Sequence, residues 1–193
     1  MLRIGFTGVP GAGKTSTARA LVSNLRYVNN HKNIELVQEY ARRYISKHGN
    51  IEHIWEQYRI TSKQIEWEEN ITNENLDILV TDSPIFLSFL YAIELKKTNE
   101  KDIMVFNDIF KMLTKLNFPK PRYDIIFHLP PTIEPVDDGI RSKIQFQKEW
   151  RENSEQQIKS ILNIFQPGIM ITLHENNLND RVDKCIEILN NWG

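Results

Sequence analysis

The sequence predicts an α/β domain built on a parallel sheet. Five short apolar runs alternate with segments of helical period, the pattern of strands joined by crossover helices. A glycine-rich turn, Gly8 to Thr15, joins the first run to the first helical segment. The 193 residues fit one domain over 1–193, since domains run to roughly 100–200 residues.

The first run is Leu2 to Phe6. Ile34 to Gln38, Ile78 to Thr81, Asp124 to Leu129 and Ile169 to Leu173 follow. Each is rich in Ile, Leu, Val or Phe, as expected of strands covered on both faces. After the first run, Ala18, Leu21, Val22 and Leu25 recur at i, i+3, i+4 and i+7, which makes one apolar helical stripe over Thr15–Leu25. The charged stretch from Ile51 to Thr72 reads as a long helix carrying Trp55, Tyr58 and Trp67. Ile158, Ile161, Leu162 and Phe165 repeat the stripe, and Pro167-Gly168 ends it. Leu178, Val182, Cys185, Ile186 and Leu189 form a closing helix. The stretch from about 134 to 155 begins in a proline-rich turn and mixes both signs of charge, as a loop and helix or a lid would.

Composition excludes several classes. The chain has 24 basic and 25 acidic residues, a formal net charge of −1, so no general basic surface exists for nucleic acid. Cys185 is the single cysteine; an intramolecular disulfide and a cysteine-based zinc site are excluded. On the closing helix it reads as a small core residue. The five histidines lack ligand spacing and read as structural or solvated. No apolar run is long enough to span a bilayer, and Met1 to Gly8 lacks the apolar core of a signal peptide. A soluble, cytoplasmic protein is expected.

Residues Gly8 to Thr15 read G-V-P-G-A-G-K-T, matching G-x-x-x-x-G-K-[ST], the P-loop or Walker A pattern. Its place between strand and helix is the one the chemistry needs. Glycines let backbone N–H groups approach a phosphate, and the helix N-terminus behind them favours an anion. Gly8, Pro10, Gly11, Ala12, Gly13, Lys14, Thr15 and Ser16 are therefore the expected nucleotide-binding residues. Lys14 is expected on the β- and γ-phosphates and the Thr15 hydroxyl on Mg²⁺.

The third run ends in T-D-S-P, and a carboxylate after apolar residues is the expected Walker B position. Asp82 is thus a candidate Mg²⁺ ligand; the alternative is a cap for a helix starting near Pro84. Ser83 stands where ATPase motors carry a water-activating glutamate, and no N-K-x-D guanine-reading element occurs. A small kinase fits better. The second run ends at Gln38-Glu39, and ligands gather at the carboxyl ends of parallel strands. Glu39 is the candidate base that orients the acceptor, with Asp82 as the other carboxylate open to that role. Arg42, three residues on, is a candidate for pairing with Glu39 or holding substrate. Gln64 can make paired hydrogen bonds to a base or amide. In D-D-G-I-R, Asp138 is a further substrate candidate, and Arg141 is a candidate for folding over the γ-phosphate.

Together, G-x-x-G-x-G-K-T, V-Q-E-Y-A-R-R-Y, T-D-S-P and P-P-T-I-E-P-V-D-D-G-I-R resemble the ribosylnicotinamide kinase domain of NadR-type proteins. They resemble equally the related small AAA-type P-loop kinases often found in phages. The likeness runs from Leu2 to about Arg151. It implies a three-layer P-loop NTPase fold, a sheet of about five strands in the order 2-3-1-4-5 with helices on both faces, and a helical lid. It also implies ATP as phosphoryl donor, Mg²⁺, and catalytic roles for Lys14, Glu39, Asp82 and Arg141. The expected activity is phosphoryl transfer to nicotinamide riboside, a deoxynucleoside or a nucleoside monophosphate. The alternatives are a nucleotide switch acting through a protein partner, and a DNA or RNA kinase.

Overall fold

Strand β1 (Leu2–Thr7) lies at the centre of the sheet and is covered on both faces: Ile4 and Phe6 on one and Gly5 and Thr7 on the other are all buried. β3 (Ile78–Thr81) pairs with it on one side and β4 (Ile125–His128) on the other. β2 (Ile34–Val37) extends the sheet beyond β3, and β5 (Ile169–Thr172) beyond β4. All pairs are parallel, and the order is β2-β3-β1-β4-β5, as the resemblance implied. This is a computed structural model, and it describes residues 1–72, 75–132, 134 and 143–192.

β5 departs from the expected cover on both faces. It is an edge strand paired only with β4, and Ile169 and Met170 are 59% and 44% exposed. An edge strand lacks the neighbour that would complete its cover.

Helix α1 (Lys14–Val28) lays Ala18, Leu21, Val22 and Leu25 on the sheet and carries α7 (Leu178–Asn190). The remaining helices are α2 (Tyr40–His48), α3 (Ile54–Thr72), α4 (Leu87–Glu94), α5 (Glu100–Leu116) and α6 (Lys148–Phe165). They pack chiefly on one another, α3 against α2, α4 and α5, and α4 against α6. Phe86, Phe89, Phe110 and Phe165 meet at ring separations of 5.0–5.5 Å and tie α4, α5 and α6 together. Residues 148–155 form the first turns of α6, with Arg151, Ser154 and Glu155 buried. A short 3-10 turn, Lys143–Phe146, precedes it. None of the helices in the described residues is long and apolar enough to cross a membrane.

A buried polar network braces the segment after β3. Tyr123 donates its hydroxyl to Glu68 at 3.0 Å and accepts the Ile85 N–H at 3.0 Å. Arg122 donates to the same carboxylate at 3.0 Å and 3.1 Å. A carboxylate without exposure needs such partners, because an unpaired buried charge costs several kcal/mol. Through Ile85 the network fixes the chain three residues beyond Asp82.

Candidate active site

The loop from Gly8 to Thr15 has the backbone that its glycines predict. Gly8 has φ 141°, and a side chain there would meet the Leu129 carbonyl oxygen at 2.3 Å. Gly13 has φ 92° and caps α1 without a side-chain hydrogen bond, so the first N–H groups of that helix face the loop. The first turn of α1 carries no acidic residue, which suits an anion. Lys14 is buried and donates to the Gly8 and Val9 carbonyls at 2.7 and 3.0 Å. Its ammonium thus lies directly over the cradle. Ser16 is exposed.

Arg181 of α7 was not among the sequence candidates. It is 3% exposed, donates to the Ala12 carbonyl at 3.1 Å and to the Glu175 carbonyl at 2.7 Å, and so ties the loop to the last helix. The available signal was a cation at position 181, one helical turn before the apolar Cys185.

Parallel pairing brings the two candidate carboxylates together. Val37 and Thr81 are register partners, Asp82 follows Thr81 and donates its N–H to the Val37 carbonyl at 3.2 Å, and Glu39 follows two residues after Val37 as the N-cap of α2. Asp82 is 2% exposed. Burial first, then the negative charge of Glu39, push its carboxyl up to about 6; a hydrogen bond from Thr15 and the charges of Lys14 and Arg42 pull the other way. Lys14, Thr15, Glu39, Arg42 and Asp82 therefore share one electrostatic site.

A magnesium ion fits these residues. The Thr15 hydroxyl hydrogen-bonds to Asp82, and the Oδ1 atom of Asp82 is buried without a hydrogen-bond partner among the described residues. An orphaned carboxylate oxygen beside a hydroxyl is a hard-oxygen pair of the kind Mg²⁺ takes. No cluster of three or more His, Cys, Asp or Glu side chains suited to a metal occurs among the described residues. That agrees with an ion held by one or two carboxylates and the phosphates of a substrate.

Beside Glu39 opens a cavity of about 170 Å³ between α2, α3 and α4, which the 3-10 turn also touches. Its polar lining includes Glu39, Arg42, Asn50, Gln57 and Glu94, and Ile45 and Leu95 belong to its apolar wall. Burial raises the Glu94 carboxyl above the usual range.

Gln57 is the residue that sequence reasoning missed here. It is 1% exposed, lines the cavity, and neither atom of its amide has a hydrogen-bond partner among the described residues. Gln64, the candidate chosen for this task, lies seven residues further along α3. Its Oε1 accepts the Tyr40 N–H at 2.7 Å, and its Nε2 donates to the Gln38 carbonyl at 3.3 Å. Gln64 thus holds the backbone on both sides of Glu39, and its amide is engaged there. Asp138 and Arg141 lie outside the described residues.

His128 ends β4 and is buried; its Nε2 stands 2.7 Å from Glu155 of α6, which also pairs with Lys159 at 3.2 Å. It joins sheet to helix, a structural part.

A glycine-rich loop between strand and helix on a 2-3-1-4-5 parallel sheet, with a carboxylate at the end of the strand beside it, is the P-loop NTPase fold. The model of an AAA domain family matches residues 3–181, and the chain belongs to that family. Solved structures agree on the fold. A NadR protein in complex with NR superposes with a TM-score of 0.74 at 21% identity, over 96% of this chain and 51% of that one, so this chain spans about half the length of NadR. Deoxyadenosine kinase from M. mycoides, with the products dCMP and dCDP, gives 0.61 at 12% identity over all of both chains. Thymidylate kinase from Ehrlichia chaffeensis gives 0.62 at 15% identity, over 97% of this chain and 98% of that one. A search of curated proteins finds no match. Two of these neighbours are a nucleoside kinase and a nucleotide kinase, and the third is a NadR protein, in line with the resemblance that the sequence carries.

Proposed function

We propose that this protein is an ATP·Mg²⁺-dependent kinase that phosphorylates a nucleoside. The observation that carries this reading is the cavity lined by Glu39 and Arg42, which act on Asp82 together with Lys14 and Thr15 of the P-loop, and by Gln57, whose amide has no hydrogen-bond partner among the described residues. A water-using ATPase has no need of a second, partly apolar pocket at that place. Substrate pockets combine an apolar wall with a few polar groups that fix orientation.

The charge of the pocket favours a nucleoside over a nucleoside monophosphate. Among the described residues, two carboxyl groups, Glu39 and Glu94, line it with one guanidinium, Arg42. A phosphate in that setting meets more repulsion than attraction, whereas a neutral or cationic nucleoside does not. Gln57 supplies one donor and one acceptor to the base or its amide, and leaving them unpaired penalises acceptors without the matching edge.

Each residue then has a part. The loop amides and Lys14 hold the β- and γ-phosphates. Thr15 and Asp82 hold Mg²⁺, which neutralises charge on those phosphates when bound. Glu39 orients the acceptor hydroxyl and takes its proton, while the acceptor oxygen bonds to the γ-phosphorus. The bond to the bridging oxygen breaks, and ADP leaves. Glu39 suits this role better than Asp82, because Glu39 lines the acceptor cavity and Asp82 is buried against Thr15. Arg141 and Asp138 are proposed to complete the site from the lid.

A panel of nucleosides (nicotinamide riboside and deoxynucleosides included) and nucleoside monophosphates tests the reading. Acceptor-dependent ADP release with one or more nucleosides, absent in Lys14→Ala, is expected. ADP release that no acceptor stimulates contradicts it and favours the nucleotide switch. Release driven only by monophosphates contradicts the choice of nucleoside.

A further inference from the structure

On the face of α2 that points away from the acceptor cavity lies a second cleft, of about 270 Å³, closed on the far side by α3. Its walls are Tyr40, Arg43, Tyr44, Lys47 and His48 from α2, with Lys63 and Trp67 from α3. Its volume is at the lower edge of the roughly 300–1,000 Å³ typical of small-molecule sites.

The cleft is basic by construction. None of the described residues that line it is a carboxylate, and α2 has no acidic residue over Tyr40–His48. Arg43 and Lys47 are four apart on an exposed helical face, a like-charge spacing that destabilises a helix in isolation. The nearby carboxylates are partly committed elsewhere. Glu56 accepts the Tyr44 hydroxyl at 3.0 Å and the N–H groups of Glu52 and His53 at 3.0 and 2.9 Å. Glu66 takes Lys63 at 2.6 Å, and no carboxylate among the described residues forms an ion pair with Arg43 or Lys47.

The cleft is also aromatic. Tyr40 meets Trp67 edge to face at 4.9 Å, and the Arg43 guanidinium lies 5.8 Å from the Trp67 ring. Tyr44 and His48 meet as a tilted ring pair at 4.6 Å. Rings beside a cluster of cations are suited to a ligand that joins a flat ring to an anion.

We propose that this cleft is a second binding site that takes a nucleotide, with the base against Tyr40 and Trp67 and the phosphate on Arg43 and Lys47. It is separate from the P-loop and the acceptor cavity and does not depend on the kinase reading.

Calorimetry on the full chain carrying Lys14→Ala, which disables the P-loop, tests it. The probes are a nucleoside monophosphate, the unphosphorylated nucleoside and inorganic phosphate. The monophosphate is expected to bind more tightly than either part alone. Arg43→Glu with Lys47→Glu is expected to weaken it roughly tenfold or more, with circular dichroism unchanged, and the milder Arg43→Gln with Lys47→Gln to weaken it less. Three results overturn the proposal. One is no uptake of the monophosphate. Another is uptake that survives the charge reversal, which places it in the acceptor cavity. The third is a single-stranded oligonucleotide that binds with steep salt dependence where mononucleotides do not.

Discussion

Asp82 and Glu39, at the ends of adjacent parallel strands, act on each other electrostatically: after burial, the charge of Glu39 is the strongest influence raising the Asp82 carboxyl to about 6. Two carboxylates held this close repel unless something positive stands between them. Lys14, Arg42 and the magnesium ion of the proposed reaction answer that need.

The raised carboxyl makes a stability prediction. Its folded pKa lies above the ordinary value of 3.8, so folding favours the protonated form. Its contribution is full below about pH 4 and is lost as pH rises through about 6. In metal-free buffer at pH 7.5, Asp82→Asn is expected to be more stable than the wild type by about 1–3 kcal/mol. The gap closes near pH 4. Urea unfolding at the two pH values checks this, and a gap of equal size at both contradicts it.

The two glutamines of α3 should separate cleanly. Gln57→Leu removes an unpaired buried amide, so the fold is unharmed while the acceptor KM rises roughly tenfold or more. Gln64→Leu removes bonds to Tyr40 and Gln38 and leaves a backbone N–H unpaired, at about 1–3 kcal/mol of stability. Steady-state kinetics paired with thermal unfolding distinguishes them. Equal acceptor KM for Gln57→Leu and the wild type counts against the pocket assignment.

Arg181 is a positioning residue for the P-loop. Arg181→Ala breaks the bond to the Ala12 carbonyl, and ATP affinity is expected to fall roughly threefold to thirtyfold. The acceptor KM should hold, because α7 does not line the acceptor cavity. Arg181→Lys should recover part of the loss. Equilibrium ATP binding measures it, and unchanged affinity in Arg181→Ala contradicts the role.

Cys185 is fully buried, and burial pushes its thiol up to about 12. It should resist a thiol reagent at pH 8 in the folded protein and react in urea. Rapid labelling of the native chain contradicts this.

The sheet was legible because each strand is a short apolar run, and the P-loop because its motif fixes both the residue types and their place between strand and helix. α4 was met only as a helix starting near Pro84, with no end, and α5 escaped notice. α4 is apolar nearly all round, without a stripe to read, and the capping signal of α5, Asn99 accepting the Asp102 N–H at 3.1 Å, lies in a polar stretch that reads as a loop. Glu39 and Asp82 were found from strand ends alone, since parallel strands deliver their carboxyl ends to one edge. Gln57 and Arg181 were not, because their surroundings are assembled from distant parts of the sequence: a cavity between three helices in one case and a carbonyl 169 positions away in the other. Which glutamine on α3 faces the cavity depends on a tertiary rotation that a seven-residue spacing cannot distinguish.

The fate of the γ-phosphoryl group tests the central claim most directly. In a single turnover with γ-labelled ATP, Mg²⁺ and the best nucleoside, the label is predicted on the nucleoside in the wild type, with transfer slowed roughly 10²-fold or more in Glu39→Gln. Label recovered only as free phosphate, at one rate with and without the nucleoside, would contradict it.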